Sequence, residues 1–246
     1  MLHVTTLPTA QSAGQFDFTG TTAIVIDVLR ATSVITTAMA NGATSVFAAG
    51  SIDEAWAEHR RNNSESLVCG EKDAVKIEGF HLGNSPLEFS PEKVGGKPLI
   101  LLTSNGTQAI RASMKADRVL ILSFLNLEAV SRVLRRTNDR VVIVCSGTNG
   151  NFSLDDALCA GMLINRIAAE DSHLCDLSQA LAGFAAAEKR PPVDVLNRCF
   201  HVKYLRNKGF ADDVTYCLST DAIDIVPFWN HGLIVSGDLN ANSIKP

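Results

Sequence analysis

The chain has 246 residues, 46% hydrophobic and 20% charged, enough to bury one large core or two small ones. Its 22 Lys and Arg against 26 Asp and Glu leave a formal charge of −4 with no basic block to follow a phosphate backbone, so nucleic acid is not an expected partner. No apolar run reaches the roughly 18 residues of a membrane span, and the opening MLHVTTLPTAQSAG lacks the basic end and apolar core of a secretory signal; the default expectation is a cytoplasmic protein without a membrane partner.

In chain order, short apolar runs alternate with helix-length amphipathic stretches. TAIVIDV reads as a strand before a helix over 31–41, TSVFAA as a strand before a helix over 52–62, and SLVCGE as a strand. PLILLTS leads into a helix over 106–116, RVLILS into 127–136, and RVVIVCSG into 155–170. A helix over 175–187 follows, and strand-like AIDIVPFW and GLIVSG come last. The alternation predicts an α/β fold with a mostly parallel sheet, and the lack of polar alternation within the Val/Ile/Leu runs puts helices on both faces. Beyond Glu170 the alternation fades into helical sequence, which suggests a second α/β lobe. The polar pair Thr137–Asn138 then divides the chain into 1–137 and 138–246, with the site at strand carboxyl ends between the lobes. Cys69, Cys145, Cys159, Cys175, Cys199 and Cys217 form no C-x-x-C pair and read as reduced core thiols.

Open α/β sheets bind ligands beyond the carboxyl ends of their strands, so the residues after each run matter most. Asp27 and Arg30 follow the first strand. They form either a helix-capping carboxylate with its paired arginine, or a Mg²⁺ ligand beside a bidentate phosphate clamp at a helix N-terminus. Glu71 is a second carboxylate at a strand end. In LLTSNGTQAI, Gly106 allows close backbone approach to an anion and Asn105 or Thr107 is placed to cap the helix, though an ordinary strand-to-helix turn has the same make-up. GFHLGNSPLEF is a turn in which Ser85 precedes a short helix with Pro86 at its first position. In GTNGNFSLDDALCAG, Ser153 reads as an N-cap with Asp155 and Asp156 in the first turn; the same two acids are also suited to complete a metal site.

The blocks VIDVLRATSVITTAMANGA, CGEK…IEGFHLGNSPLEF, LLTSNGTQAI, LSFLN and CSGTNGNFSLDDALCAG, in this order, resemble the 2-phosphosulfolactate phosphatase family from about Ile24 to Gly161. The resemblance implies two α/β lobes and a Mg²⁺-dependent phosphatase acting on 2-phosphosulfolactate in the manner of coenzyme M biosynthesis. It places Asp27, Arg30, Glu71 and Asp156 in catalysis and Asp27, Glu71, Asp155 and Asp156 around the metal. Thr32, Ser33, Asn84, Ser85, Asn105, Gly106 and Thr107 fall to the substrate, with Gly70, Gly83 and Pro86 matching the same blocks. His81 stands where the family pattern has an aspartate, Lys72 where it has an arginine, and Asp155 where it has a glutamate. His81 is therefore expected beside the substrate as a determinant of its identity. The expected partner is a small phosphorylated hydroxyacid, and a homodimer is left open. Two alternatives accompany this reading: a covalent aspartyl phosphate on Asp27, although Leu29 stands where haloacid dehalogenase phosphatases carry a second acid, and a phosphometabolite-binding protein without turnover. Dinucleotide binding is disfavoured because no G-x-G-x-x-G follows the first strand.

Overall fold

Runs of Val, Ile and Leu with no polar alternation must be covered on both faces, and they are. The computed structural model describes residues 1–137 and 140–237. Its strands are β1 (His3–Leu7), β2 (Thr21–Ile26), β3 (Ser45–Ala48), β4 (Leu67–Lys72), β5 (Val75–Lys76), β6 (Pro98–Leu102), β7 (Arg118–Leu122), β8 (Arg140–Cys145), β9 (His173–Leu174), β10 (Phe228–Asn230) and β11 (Leu233–Val235). The helices are α1 (Ala10–Ala13), α2 (Ala31–Ala40), α3 (Ile52–Arg61), α4 (Pro91–Val94), α5 (Gly106–Ser113), α6 (Leu127–Leu134), α7 (Leu154–Ile167), α8 (Asp176–Ala187), α9 (Pro192–Val195), α10 (Phe200–Asn207) and α11 (Ala211–Cys217).

Because side chains alternate across a strand, each central strand feeds two cores. Ile24, Ile26, Leu120, Leu122 and Ile143 pack under α6, α7 and α8, whereas Ala23, Val25, Val119, Ile121, Val142 and Val144 pack under α2 and α5. Fully burying each larger side chain contributes about 1.5–3 kcal/mol, so a polar residue at Ile24, Val25 or Ile26 of β2, all fully buried, would be strongly destabilising.

The strand order is β5-β4-β6-β3-β11-β10-β7-β2-β8-β1-β9. Parallel strands form two groups, β4-β6-β3 and β7-β2-β8-β1-β9, with the antiparallel β10–β11 hairpin wedged between them. The hairpin touches each group through one residue pair, Phe228 with Leu120 and Ile234 with Val46. Two parallel groups thus exist, but the expected cut at Thr137 does not separate them. β8, which lies after that cut, pairs with β2 from Thr21↔Arg140 to Ile26↔Cys145 and with β1 on its other side. Asn138 itself lies outside the described residues.

The predicted helices appear with C-terminal ends at most three residues earlier, for example α3, capped by Ser51 accepting from the Glu54 N–H. The six cysteines are free, all but Cys175 buried. Among the described residues no helix is long and apolar enough to cross a membrane.

Candidate active site

At the carboxyl end of β2 the chain turns sharply into α2, and the Leu29–Arg30 peptide is cis. Thr32 holds the turn: its N–H and hydroxyl both donate to the Asp27 carbonyl, at 2.9 and 2.8 Å. The Ala31 N–H donates to Asp27 Oδ1 at 3.3 Å, so the acid caps α2 as well as facing the space above the sheet. Burial pushes the Asp27 carboxyl up to about 7, with Asp155 and Glu71 adding to the rise and His201 and the Ala31 amide opposing it. A Cβ on Gly106 would lie 2.5 Å from Asp27 Oδ2 and from the Ala31 Cβ. That contact brings the end of β6, from one parallel group, against the end of β2, from the other. It is the physical reason for a glycine here.

β4 enters the same space through an equally close approach. Gly70 has φ +148°, and a Cβ there would sit 2.0 Å from the Leu102 carbonyl oxygen of β6. Next to it, Glu71 accepts from the Ser104 N–H at 2.8 Å and from the Ala74 N–H at 2.7 Å. Asp73 and Ala74, with φ of 54° and 66°, form the two-residue turn joining β4 to β5, the backbone signature of a type I′ hairpin.

Arg30 is buried and pairs with Asp213 of α11, not with Asp27. Its Nη1 donates to Asp213 Oδ2 at 2.6 Å, its Nη2 to the Ala74 carbonyl at 3.1 Å, and the guanidinium lies 4.0 Å over the Phe210 ring. Asp213 is shared: Ser85 Oγ donates to its other oxygen at 2.7 Å. Pro86 opens a short 3-10 turn, as its sequence position implies, while the Ser85 hydroxyl leaves the cap for the acid. Asn84 is buried, and its Oδ1 has no hydrogen-bond partner.

The two acids of α7 diverge. Asp156 is fully committed, accepting from the Val28 N–H at 2.9 Å and the Gly147 N–H at 3.0 Å, and so staples the loop after β2 to the loop after β8. Burial, with Asp155 and Asp27 nearby, raises its carboxyl well above the usual range. Asp155 accepts from Ser153 Oγ at 2.5 Å and faces His201 Nδ1 at 3.3 Å. Burial opposes ionisation of Asp155, but the His201 charge and hydrogen bond hold its carboxyl below the usual value. The same pairing, against burial, raises His201.

These elements line a narrow cleft open to solvent. Asp27 and Arg30 line one side, Glu71, Asp73 and Asn84 another, and Ser104, Asn105, Thr148 and Asn149 the loops after β6 and β8; His201 and Tyr204 of α10 close it. Asn105 Oδ1 accepts from the Asn149 N–H at 3.0 Å, joining those two loops.

Several expected residues stand elsewhere. The Thr32 hydroxyl is spent on Asp27, the Ser33 hydroxyl on the Val28 carbonyl at 2.8 Å, and Thr107 exchanges hydrogen bonds with Thr103. Gly106 acts as a spacer behind Asp27, and Ser85 acts through Asp213. His81 is exposed, its Nδ1 accepts from the Val68 N–H at 2.9 Å, and its ring packs beside His59 and Trp56, away from the cleft lining. In the other direction, Asp213, His201 and Tyr204 went unforeseen. They lie in a helical stretch beyond the motif blocks, where no local pattern distinguishes a site histidine or aspartate from a surface one.

The carboxylates bear on the expected metal. Among the described residues no three His, Cys, Asp or Glu side chains stand where they could share one ion, and Asp155 and Asp156 lie outside the cleft lining. The four-acid cage expected from sequence is therefore not built. Mg²⁺, however, commonly uses one or two carboxylates, water and substrate phosphate, and Asp27 with Glu71, two carboxylates that line the cleft beside its polar loops, fits that demand.

The 2-phosphosulpholactate phosphatase family model matches residues 8–232. The chain belongs to that family. It is 38% identical over 235 residues to the probable 2-phosphosulfolactate phosphatase of Caldanaerobacter subterraneus subsp. tengcongensis, covering 95% of this chain and 98% of that protein. It is 40% identical over 214 residues to the protein of the same name from Thermotoga maritima, covering 87% and 91%, and 40% identical over 215 residues to that of Clostridium beijerinckii, covering 86% and 90%. The match includes the C-terminal helices that supply Asp213 and His201. Membership makes the chain one of a family of phosphoric monoester hydrolases.

Proposed function

We propose that the chain is a Mg²⁺-dependent phosphatase that hydrolyses 2-phosphosulfolactate to sulfolactate and phosphate, a reaction of the coenzyme M biosynthesis type. The observation that carries this reading is the meeting, in one cleft of a chain of this family, of two carboxylates from different parallel groups with a buried arginine. Asp27 and Glu71 would hold the metal, which when bound neutralises phosphoryl oxygens and acidifies water. Arg30 has five N–H donors and uses two on Asp213 and Ala74, so the rest of its fork is available to phosphoryl oxygens. The Phe210 ring and Asp213 fix the guanidinium before substrate arrives, which is the positioning that phosphoryl transfer most requires. Asn84 Oδ1, a buried acceptor without a donor, takes a hydrogen bond from the bound ligand or its water.

Phosphate release from 2-phosphosulfolactate, phospholactate and phosphoglycolate, with and without Mg²⁺, tests the reading. Release from 2-phosphosulfolactate that depends on Mg²⁺ is expected. Folded protein that releases phosphate from none of the three would overturn it in favour of a phosphometabolite binder.

A further inference from the structure

The cleft holds a titratable ring for which the carboxylates and arginine above have no role. His201 lines the cleft, and its side chain is 12% exposed. Nδ1 is engaged by the protein: it lies 3.3 Å from Asp155 Oδ2 and 3.3 Å from Thr148 Oγ1. Asp155 is itself fixed by Ser153 Oγ, which also bonds Thr148 Oγ1 at 3.0 Å. Two helices and the loop after β8 thus set one orientation of one ring. With Nδ1 as donor to a carboxylate, the remaining nitrogen, Nε2, has no hydrogen-bond partner among the described residues and is the atom left for a ligand. A nucleophile or base oriented by a buried acid through its far nitrogen is the arrangement in which imidazole moves protons in catalysis.

We propose that His201 is a catalytic residue, delivering a proton from Nε2 to the ester oxygen of the departing hydroxyacid, with Asp155 as its positioning residue. The inference rests on the phosphatase reading. In the step, a bond forms between a water oxygen and phosphorus while the bond from phosphorus to the ester oxygen breaks. The electron pair of the broken bond stays on that oxygen, which takes the Nε2 proton and leaves as the alcohol. The proton lost by the attacking water returns to His201 through solvent, so the sum is ester plus water giving alcohol plus phosphate. An alkyl alcohol is a poor leaving group, and a positioned acid matters most for such a group. Arg30 and the pair Asp27 and Glu71 act on the phosphoryl oxygens and leave the ester oxygen without a donor.

The experiment compares the parent with His201→Asn on two substrates in Mg²⁺: 2-phosphosulfolactate, whose leaving group is an alkyl alcohol, and p-nitrophenyl phosphate, whose leaving group needs no proton. Asn keeps a donor near the place of Nδ1 toward Asp155 and deletes Nε2. The expected result is a kcat loss of roughly 10²- to 10⁴-fold on the alkyl ester at nearly unchanged KM, with a loss below about tenfold on the aryl ester. Equal losses on both substrates, or a loss confined to KM, would overturn the assignment. His201→Gln serves for the same comparison if the Asn variant does not fold. If the parent accepts the alkyl ester alone, the split between kcat and KM decides. A parent inert toward both substrates would instead refute the phosphatase reading itself.

Discussion

The Arg30–Asp213 pair offers the sharpest test of how this site is assembled. Both partners are buried, with side chains 2% and 5% exposed and a contact of 2.6 Å, which sets the charge centres roughly 4 Å apart and their attraction at about 4 kcal/mol for an effective dielectric near 20. Asp213→Asn removes that charge and leaves a buried guanidinium uncompensated. Breaking a buried pair from one side costs about 3–5 kcal/mol, and the lower end applies here because Arg30 keeps the Ala74 carbonyl and the Phe210 ring, a cation–π contact worth about 2 kcal/mol when desolvated. Ser85 also loses its charged acceptor. Urea unfolding of parent and Asp213→Asn should therefore differ by about 3 kcal/mol. Inorganic phosphate, a substitute counter-charge in the cleft, should stabilise the variant more than the parent. The double change Arg30→Met with Asp213→Leu should recover more than half of the loss, since no lone charge remains. If Asp213→Asn unfolded with the parent, or if phosphate stabilised both equally, Asp213 would not be the counter-ion that holds Arg30 ready for an anion.

Asp27→Asn should abolish Mg²⁺-dependent turnover while preserving the fold, as Asn can still cap α2; near-normal metal-dependent rates would remove Asp27 from the metal. Because the folded pKa of Asp27 is raised to about 7, the unfolded chain gives up this proton first. Without metal, stability should fall as pH rises from about 4 to about 7, and this slope should diminish in Asp27→Asn when unfolding is followed across that range. Gly106→Ala should cost about 1–3 kcal/mol and lower turnover, since its Cβ would meet Asp27 Oδ2 at 2.5 Å; thermal melts matching the parent would show that β2 and β6 have room to part. His81→Asp should leave selectivity among phosphohydroxyacids unchanged, its ring being exposed beside His59 and Trp56; a shift in relative kcat/KM would place it at the substrate after all.

What the sequence made legible follows from range. Continuous apolar runs and period-3.6 patterns are local, so β2, β6, β7 and β8 and the helices after them can be read directly, as can the strand-end placement of Asp27 and Glu71. β1 carries no apolar run to mark it, because the buried positions of HVTTL are Val4 and the polar Thr6, the burial of an outer strand whose other neighbour, β9, is two residues long. Long-range pairing was beyond local pattern. Arg30 lies three residues from Asp27 and 183 from Asp213, so proximity in sequence suggests the wrong partner, and only packing puts α11 beneath the guanidinium. Thr32, Ser33 and Thr107 show the converse: hydroxyls at a helix start look like ligand contacts but satisfy backbone groups of the sharp turns that aim Asp27 and Ser104.

The distribution of charge explains why the C-terminal helices belong to the site even though they carry none of its motif blocks. A cleft for an anionic ester needs cationic groups that are rigid and dry, and a dry cation needs a counter-ion. Asp213 from α11 serves Arg30, and Asp155 from α7 pairs with His201 from α10, so each positive group is held from behind by an acid outside the cleft lining. Asp27 and Glu71, by contrast, face the cleft without a cationic side chain bonded to either; their listeners are backbone N–H groups of Ala31, Ser104 and Ala74. Carboxylates left in that condition would gain most from a bound cation, and burial raises Asp27 to about 7, so on the proposed reading a proton and a metal would compete for it near neutral pH. The C-terminal helices thus fix the cations of the cleft, while Asp27 and Glu71 stand on strand ends of the sheet.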